Sequence, residues 1–169
     1  MQKKFYNAIF NNLSSYKTFY RYNKKNFKYK DIEFFYYKFL KIVSKLKKKK
    51  QNKICILSEK SFNLYSCIVS VLLSNNIWIP ISASLPTDRL KKIFSLINPD
   101  VIFCDKENLS KISKIKNLSL KDKIFILDNI KIKKSYSTSD INKNDFTHQD
   151  DDLAMIFFTS GSTGDPKGV

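Results

Sequence analysis

Three short apolar runs, separated by segments with helical spacing, leave this chain few folds to choose from. Residues 53–57 (KICIL), 77–81 (IWIPI) and 101–104 (VIFC) are too apolar for half-exposed strands and suit strands buried on both faces. Between the first two, Leu64, Ile68, Val71 and Leu72 predict a helix with that face on the sheet, capped by Ser58 or Ser61. Between the second and third, Pro86 opens a helix carrying Leu90, Ile93 and Ile97. Residues 107–118 predict a short polar helix, and 123–127 (KIFIL) a fourth strand. Such alternation implies an α/β fold, a mostly parallel sheet with helices on both faces.

The flanks are read in the same way. Phe5, Ile9, Leu13 and Tyr16 space out a short amphipathic helix, and residues 18–22 and 27–29 flank a polar turn, predicting a hairpin. Ile32, Phe35, Phe39, Val43 and Leu46 place one apolar face on a helix starting near Asp31 and ending in the lysine run 47–50, where cations suit the helix dipole. Residues 128–150 are polar and aperiodic, a surface loop. Residues 153–158 (LAMIFF) then predict a buried strand that runs straight into a glycine-rich segment.

With 169 residues the chain is one domain or part of one. Its net charge of +16 raises the question of nucleic acid. Arg21 and Arg89 are the only arginines, the lysines are scattered, and no nucleic-acid motif is present, so the charge reads as solvated surface lysine. Cys55, Cys67 and Cys104 are odd in number and widely spaced, which suggests reduced buried thiols in a cytoplasmic protein and neither disulfides nor zinc. No run approaches the ~20 apolar residues of a membrane span, and no export signal is apparent.

All three glycines, Gly161, Gly164 and Gly168, fall within the last nine residues, in 159–169 (TSGSTGDPKGV). Glycine lets a backbone approach a ligand closely, as a polyanion cradle of main-chain N–H groups requires. Thr159, Ser160, Ser162 and Thr163 add hydroxyl donors and Lys167 a mobile cation. Following a strand, the loop is expected at the carboxyl edge of the sheet, where ligands of open α/β folds bind. It is not a Walker loop, because Pro166 stands where a glycine is needed; nor is it a nucleophile elbow, because Phe158 does. The one histidine, His148, lies in the polar loop with no evident partner, against a serine hydrolase.

The segment TSGSTGDPKG resembles, position for position, the phosphate-binding signature of the adenylate-forming superfamily of acyl-CoA synthetases, amino-acid adenylation domains and luciferases. The preceding DDLAMIFF, residues 27–32 and residues 77–89 (IWIPISASLPTDR) followed by a helix and IFCD are similar to the family's pattern, so the resemblance covers most of 18–169. Two departures stand out. Lys28 replaces a small capping residue, weakening that cap, and Asn75-Asn76 replace a glycine-containing bend that asparagine can still make. Trp78, Pro80 and Arg89 read as strand packing, strand termination and a helix-surface charge.

The resemblance implies a partial N-terminal adenylation domain over 1–169, whose adenine pocket, acid pocket, magnesium-binding carboxylate and C-terminal lid domain would lie beyond Val169. It implies ATP with Mg2+ and a carboxylic acid, which attacks the α-phosphorus to give an acyl adenylate and pyrophosphate. Thr159, Ser160, Gly161, Ser162, Thr163, Gly164 and Lys167 would bind the phosphates; no catalytic residue and no metal ligand is assigned. The run from Ile79 to Leu90 leans towards an amino acid as the acid, with a carrier protein or coenzyme A as acceptor. The competing readings are an acyl-CoA synthetase fragment and an inactive remnant or half of a split enzyme. The chain by itself is expected to bind nucleotide weakly and to be inactive. Neither nucleic acid nor membrane is expected as a partner.

Overall fold

The computed structural model describes residues 2–22, 24–48, 50–115, 118–130, 148–149, 151–160 and 166–169. Within them, β3 (Lys53–Leu57) is an inner strand of a four-stranded parallel sheet, with β4 (Ile77–Pro80) on one side and β5 (Val101–Cys104), then β6 (Ile124–Ile126), on the other. The register sets Ile54 between Trp78 and Val101, and Cys55 between Ile79 and Ile102. Alternate side chains therefore enter two cores. Ile54, Ile56, Val101 and Phe103 join one, while Cys55, Leu57, Ile79, Ile102 and Cys104 join the other.

The first core is closed by α1 (Gln2–Phe10), α2 (Tyr29–Val43) and α3 (Phe62–Leu73), the second by α4 (Thr87–Ile97) and α5 (Lys106–Ser113). Helices on both faces of a parallel sheet is the expected architecture. Phe35, Phe39, Leu90 and Ile93 are almost fully buried, each worth about 1.5–3 kcal/mol of apolar transfer. The expected N-terminal hairpin is present as β1 (Thr18–Tyr22) and β2 (Lys25–Lys28). It delivers the chain to α2, whose free N–H groups at Tyr29 and Lys30 donate to the carbonyls of Lys17 and Ser15. Lys28 makes no side-chain cap bond there, as expected, but its N–H donates to Asp31 Oδ2 at 2.8 Å, which supplies half a capping box.

Three expectations need correction. Helix α2 stops at Val43 instead of reaching the lysine run: Lys45 and Leu46 donate to carbonyls only three residues back, tightening the chain out of the α-helix. On α3 the most buried positions are Ser66, Cys67, Ser70, Val71 and Leu73, whereas Leu64 and Ile68 pack only partly buried against the first core. The Ser70 hydroxyl donates to the Ser66 carbonyl at 2.7 Å, so a polar residue can sit in the closely packed interior. Of the two candidate caps Ser61 is the one used, accepting from Leu64 N–H. Finally, residues 153–158 do not form a buried strand. Leu153 is 54% and Phe157 48% exposed, and the segment pairs with the sheet through a parallel bridge between Trp78 and Met155, at the outer edge of β4. Its far edge is met by the Gln51 side chain at Leu153 and by the Val169 backbone at Phe157.

That edge segment is held at its start by a cluster of amides. Gln51 Nε2 donates to the Leu153 carbonyl and Gln51 Oε1 accepts from the Leu153 N–H, both at 3.1 Å, so one side chain pairs with a backbone as a neighbouring strand would. Asn75, in the left-handed region at φ 52°, receives Gln51 Nε2 on Oδ1 and donates to Asp152 Oδ2 at 2.7 Å. Asparagine thus makes the bend, as expected. Asn76 Oδ1 accepts twice from buried Asn52. Of the expected surface loop 128–150, residues 131–147 and 150 lie outside the described residues.

Candidate functional site

The chain leaves the edge of β4 through two backbone bonds, Trp78 N–H to the Ala154 carbonyl and Ile156 N–H to the Trp78 carbonyl. It then forms β7 (Phe158–Ser160), which pairs antiparallel with β8 (Pro166–Gly168). Phe157 and Val169 exchange both backbone bonds, at 2.9 and 2.8 Å. By the alternation of an antiparallel ladder, Phe158 and Gly168 form a non-hydrogen-bonded pair, Thr159 and Lys167 a hydrogen-bonded one, and Ser160 and Pro166 again a non-hydrogen-bonded one. Pro166, which has no N–H, therefore sits where the ladder asks for none.

Directly opposed residues project from the same face of a hairpin. Thr159 and Lys167, both exposed, are thus brought together by the register, one at each root of the connection 161–165. The backbone of Ser160 closes β7. Gly161, Ser162, Thr163 and Gly164, also expected at the site, lie outside the described residues. Gly168 has a packing role: a Cβ there would stand 3.3 Å from both Phe158 Cζ and Ile156 Cγ2. Its small size lets the Phe158 ring lie across the hairpin while Phe158 and Ile156 pack onto the second core.

The two strands of the hairpin lie at the carboxyl end of β4, and a residue that sequence reasoning did not select reaches them. Arg89, in the first turn of α4, donates from Nη2 to the Thr159 carbonyl at 3.3 Å. Arg89 is therefore more than a helix-surface charge. The loop that joins β4 to α4 is itself tethered, since Lys111 Nζ donates to the Ala83 carbonyl. Trp78 does pack within the strand layer, edge-on to Phe157, although its buried Nε1 finds no acceptor among the described residues. Bonds spanning 70 residues, as for Arg89, or 102, as for Gln51, leave no periodic trace in a sequence.

The sheet also has a topological switch point, between β3 and β5, where ligands of such folds often bind. Here the chain's own carboxylates fill it. Asp105 Oδ2 accepts from Glu59 N–H, Asp105 Oδ1 caps α5 at Asn108 N–H, and Asp128 Oδ2 accepts from Lys106 N–H. Partial burial pushes the Asp105 carboxyl up, but the bonds from Glu59 and Asn108 outweigh it and hold the group below the usual 3.8. These bonds leave the two carboxylates at the switch point already engaged by the chain's own N–H groups. Among the described residues no group of three His, Cys, Asp or Glu side chains could hold a metal.

His148 packs on the Tyr6 ring with centroids 4.9 Å apart. Burial pushes its imidazole below the usual 6.5; the Leu73 backbone and Asp152 oppose this, and Lys50 reinforces it. Cys55, Cys67 and Cys104 are free and buried, and burial raises all three thiols, Cys104 to about 11. No described helix is long and apolar enough to cross a membrane.

Comparison with known proteins places this arrangement. The profile of the family described as AMP-binding enzyme matches residues 18–169. Nonribosomal peptide synthetase 2 of Cochliobolus heterostrophus is 32% identical over 117 residues, covering 69% of this chain and 2% of that protein. A D-alanine–D-alanyl carrier protein ligase of Staphylococcus aureus is 32% identical over 92 residues, 54% of this chain and 16% of the ligase. The chain thus spans a small part of the length of both relatives. A nonribosomal peptide synthetase, FmoA3, solved in its α-methyl-L-serine-AMP-bound form, superposes with a TM-score of 0.72 at 15% identity, covering 99% of this chain and 17% of that one. The parallel sheet, the edge hairpin and the family match over nearly the whole sequence lead to one conclusion: the chain belongs to the AMP-binding enzyme family.

Proposed function

We propose that this chain supplies the triphosphate-binding hairpin of an ATP-dependent adenylate-forming ligase that activates an amino acid for transfer to a carrier protein. The observation that carries the reading is the register of β7 on β8, which sets Thr159 and Lys167 opposite each other at the two roots of 161–165. In the proposed reaction a carboxylate oxygen attacks the α-phosphorus of ATP. The new O–P bond forms as the bond from that phosphorus to the bridging oxygen breaks, and the electron pair leaves on pyrophosphate. Charge builds on the departing β- and γ-phosphates.

Thr159, Ser160, Ser162 and Thr163 would donate O–H bonds to those oxygens. Gly161 and Gly164 would let the backbone N–H groups between them come close, and Lys167 would supply the positive charge. Each charge-assisted hydrogen bond is worth about 1.5–3 kcal/mol. The ladder holds Thr159 and Lys167 at the two ends of the loop. Magnesium would bind with the nucleotide and screen its charge.

The choice of an amino acid and a carrier protein is supported by what the two relatives are named for, peptide synthesis and the ligation of D-alanine to a carrier protein. A competition experiment tests the nucleotide half: inorganic tripolyphosphate should displace ATP from the purified chain, while adenosine should not. ATP–pyrophosphate exchange in an adenylation-competent polypeptide carrying this segment tests the other half. Exchange stimulated by amino acids and not by straight-chain fatty acids is expected; the reverse preference would replace the proposed substrate class.

A further inference from the structure

We propose that Arg89 is a positioning residue for the phosphate loop, fixing its first strand from helix α4. The inference rests on the reading of 159–167 as a phosphate site. Three observations carry it. The Arg89 guanidinium donates to the Thr159 carbonyl, at the residue two before the connection 161–165. Its neighbour Leu90 is fully buried in the second core, so the backbone from which Arg89 projects is rigidly placed. The hairpin rests on that same helix, with β8 against α4 and with Ile156 and Phe158 packed on the core that Leu90, Ile93, Phe94 and Ile97 help to form.

The physical need for such a residue follows from the edge position. Beyond the bridge at Met155 the segment has left the parallel sheet, and its hairpin partner is a strand of only three residues. A short two-stranded ladder is marginal without packing or a tether. A guanidinium on the Thr159 carbonyl holds the hairpin at the residue whose hydroxyl and cross-strand lysine serve the phosphates. It also leaves the Thr159 side chain free, because the bond is taken by the main chain. Arg89 thus acts through Thr159 and need not touch the nucleotide.

The test compares Arg89→Leu, which keeps an aliphatic stem and loses the donor, with Arg89→Lys, which keeps a donor, in the whole 169-residue chain. Amide hydrogen exchange is followed without nucleotide at residues 157–160 and 167–169, with the amides of β3 and β5 as the folding control. Loss of one hydrogen bond at a local site should speed exchange of the hairpin amides about threefold to tenfold in Arg89→Leu. Arg89→Lys should stay within about twofold of the parent, and the β3 and β5 amides should not change. Unchanged hairpin exchange in Arg89→Leu overturns the proposal, as does equal acceleration of hairpin and sheet, which would mark a general stability effect. ATP titration of the same proteins separates this inference from the one beneath it. If the parent chain binds ATP, Arg89→Leu should bind more weakly and Arg89→Lys should recover most of the loss. Equal affinity in Arg89→Leu contradicts positioning. If the parent fails to bind ATP or tripolyphosphate, the phosphate reading fails, and Arg89 as a phosphate-loop positioner falls with it even where the exchange result stands.

Discussion

Gly168 lies directly across the hairpin from Phe158, and the space a methyl group would need at Gly168 is bounded at 3.3 Å by that ring and by Ile156. The last glycine of the chain is there so that β8 can lie flat beneath an aromatic side chain. Gly168→Ala is therefore expected to push the strands apart by a few tenths of an ångström, at a local cost of about 1–3 kcal/mol. The opening should appear as faster amide exchange at Phe157 and Val169, with the melting temperature of the sheet nearly unchanged. A neutral effect would mean that the ring swings aside freely.

Gln51 offers a second point of attack. Its side chain pairs with the Leu153 backbone in both directions and with Asn75, while its own φ of 56° is left-handed. Removing the amide leaves several polar groups short of partners, a loss of about 1–3 kcal/mol, or roughly 2–9 °C in melting temperature for a chain of this size. Gln51→Gly should be less harmful than Gln51→Ala by up to about 1 kcal/mol, because only glycine takes that backbone without strain. Thermal or urea unfolding of the pair checks both the size and the order.

The acid limb of stability should show two steps. His148 is held below 6.5 in the folded chain, so its contribution is complete above that pH and is lost as the pH falls through the lower folded value. Asp105 and Asp152 are held below 3.8, Asp152 chiefly by the Gln149 N–H, and their contributions fade only as the pH falls below that value. Urea midpoints measured from pH 8 to pH 3 should therefore dip first below about 6.5 and again below about 4. His148→Phe should remove the upper step and Asp105→Asn should reduce the lower one.

Most of the sheet was legible in the sequence because parallel strands buried on both faces cannot be anything but apolar. The expected runs at 53–57, 77–81 and 101–104 match β3, β4 and β5 to within a residue, and Pro86 does precede α4. What misled was the assumption that apolar means interior. Residues 153–158 are as apolar as β3, yet they ride on the outer edge of β4, and composition does not distinguish an inner strand from a half-exposed edge segment. Ser66 and Ser70 misled in the opposite sense, since serines at helical spacing look like a solvent face, whereas both are buried and the Ser70 hydroxyl donates to the Ser66 carbonyl. At the site, the glycines, hydroxyls and lysine of the loop stood out in sequence as a cluster. Arg89 and Gln51 did not, because a side chain that grips a distant main chain is indifferent to the identity of the residue it grips.

The most direct test of the hairpin as a nucleotide-phosphate site is a titration of the isotopically labelled 169-residue chain with ATP, followed by backbone NMR, in the parent and in Lys167→Ala. Shift changes in the parent should concentrate at residues 157–160 and 167–169 and saturate at a weak affinity. Lys167→Ala should lower that affinity at least about tenfold, as expected for a charge-assisted contact of about 1.5–3 kcal/mol, and leave the amides of β3 and β5 where they were. Shifts centred elsewhere on the sheet, or an unaltered affinity in Lys167→Ala, would contradict the assignment of this hairpin to the phosphates of ATP.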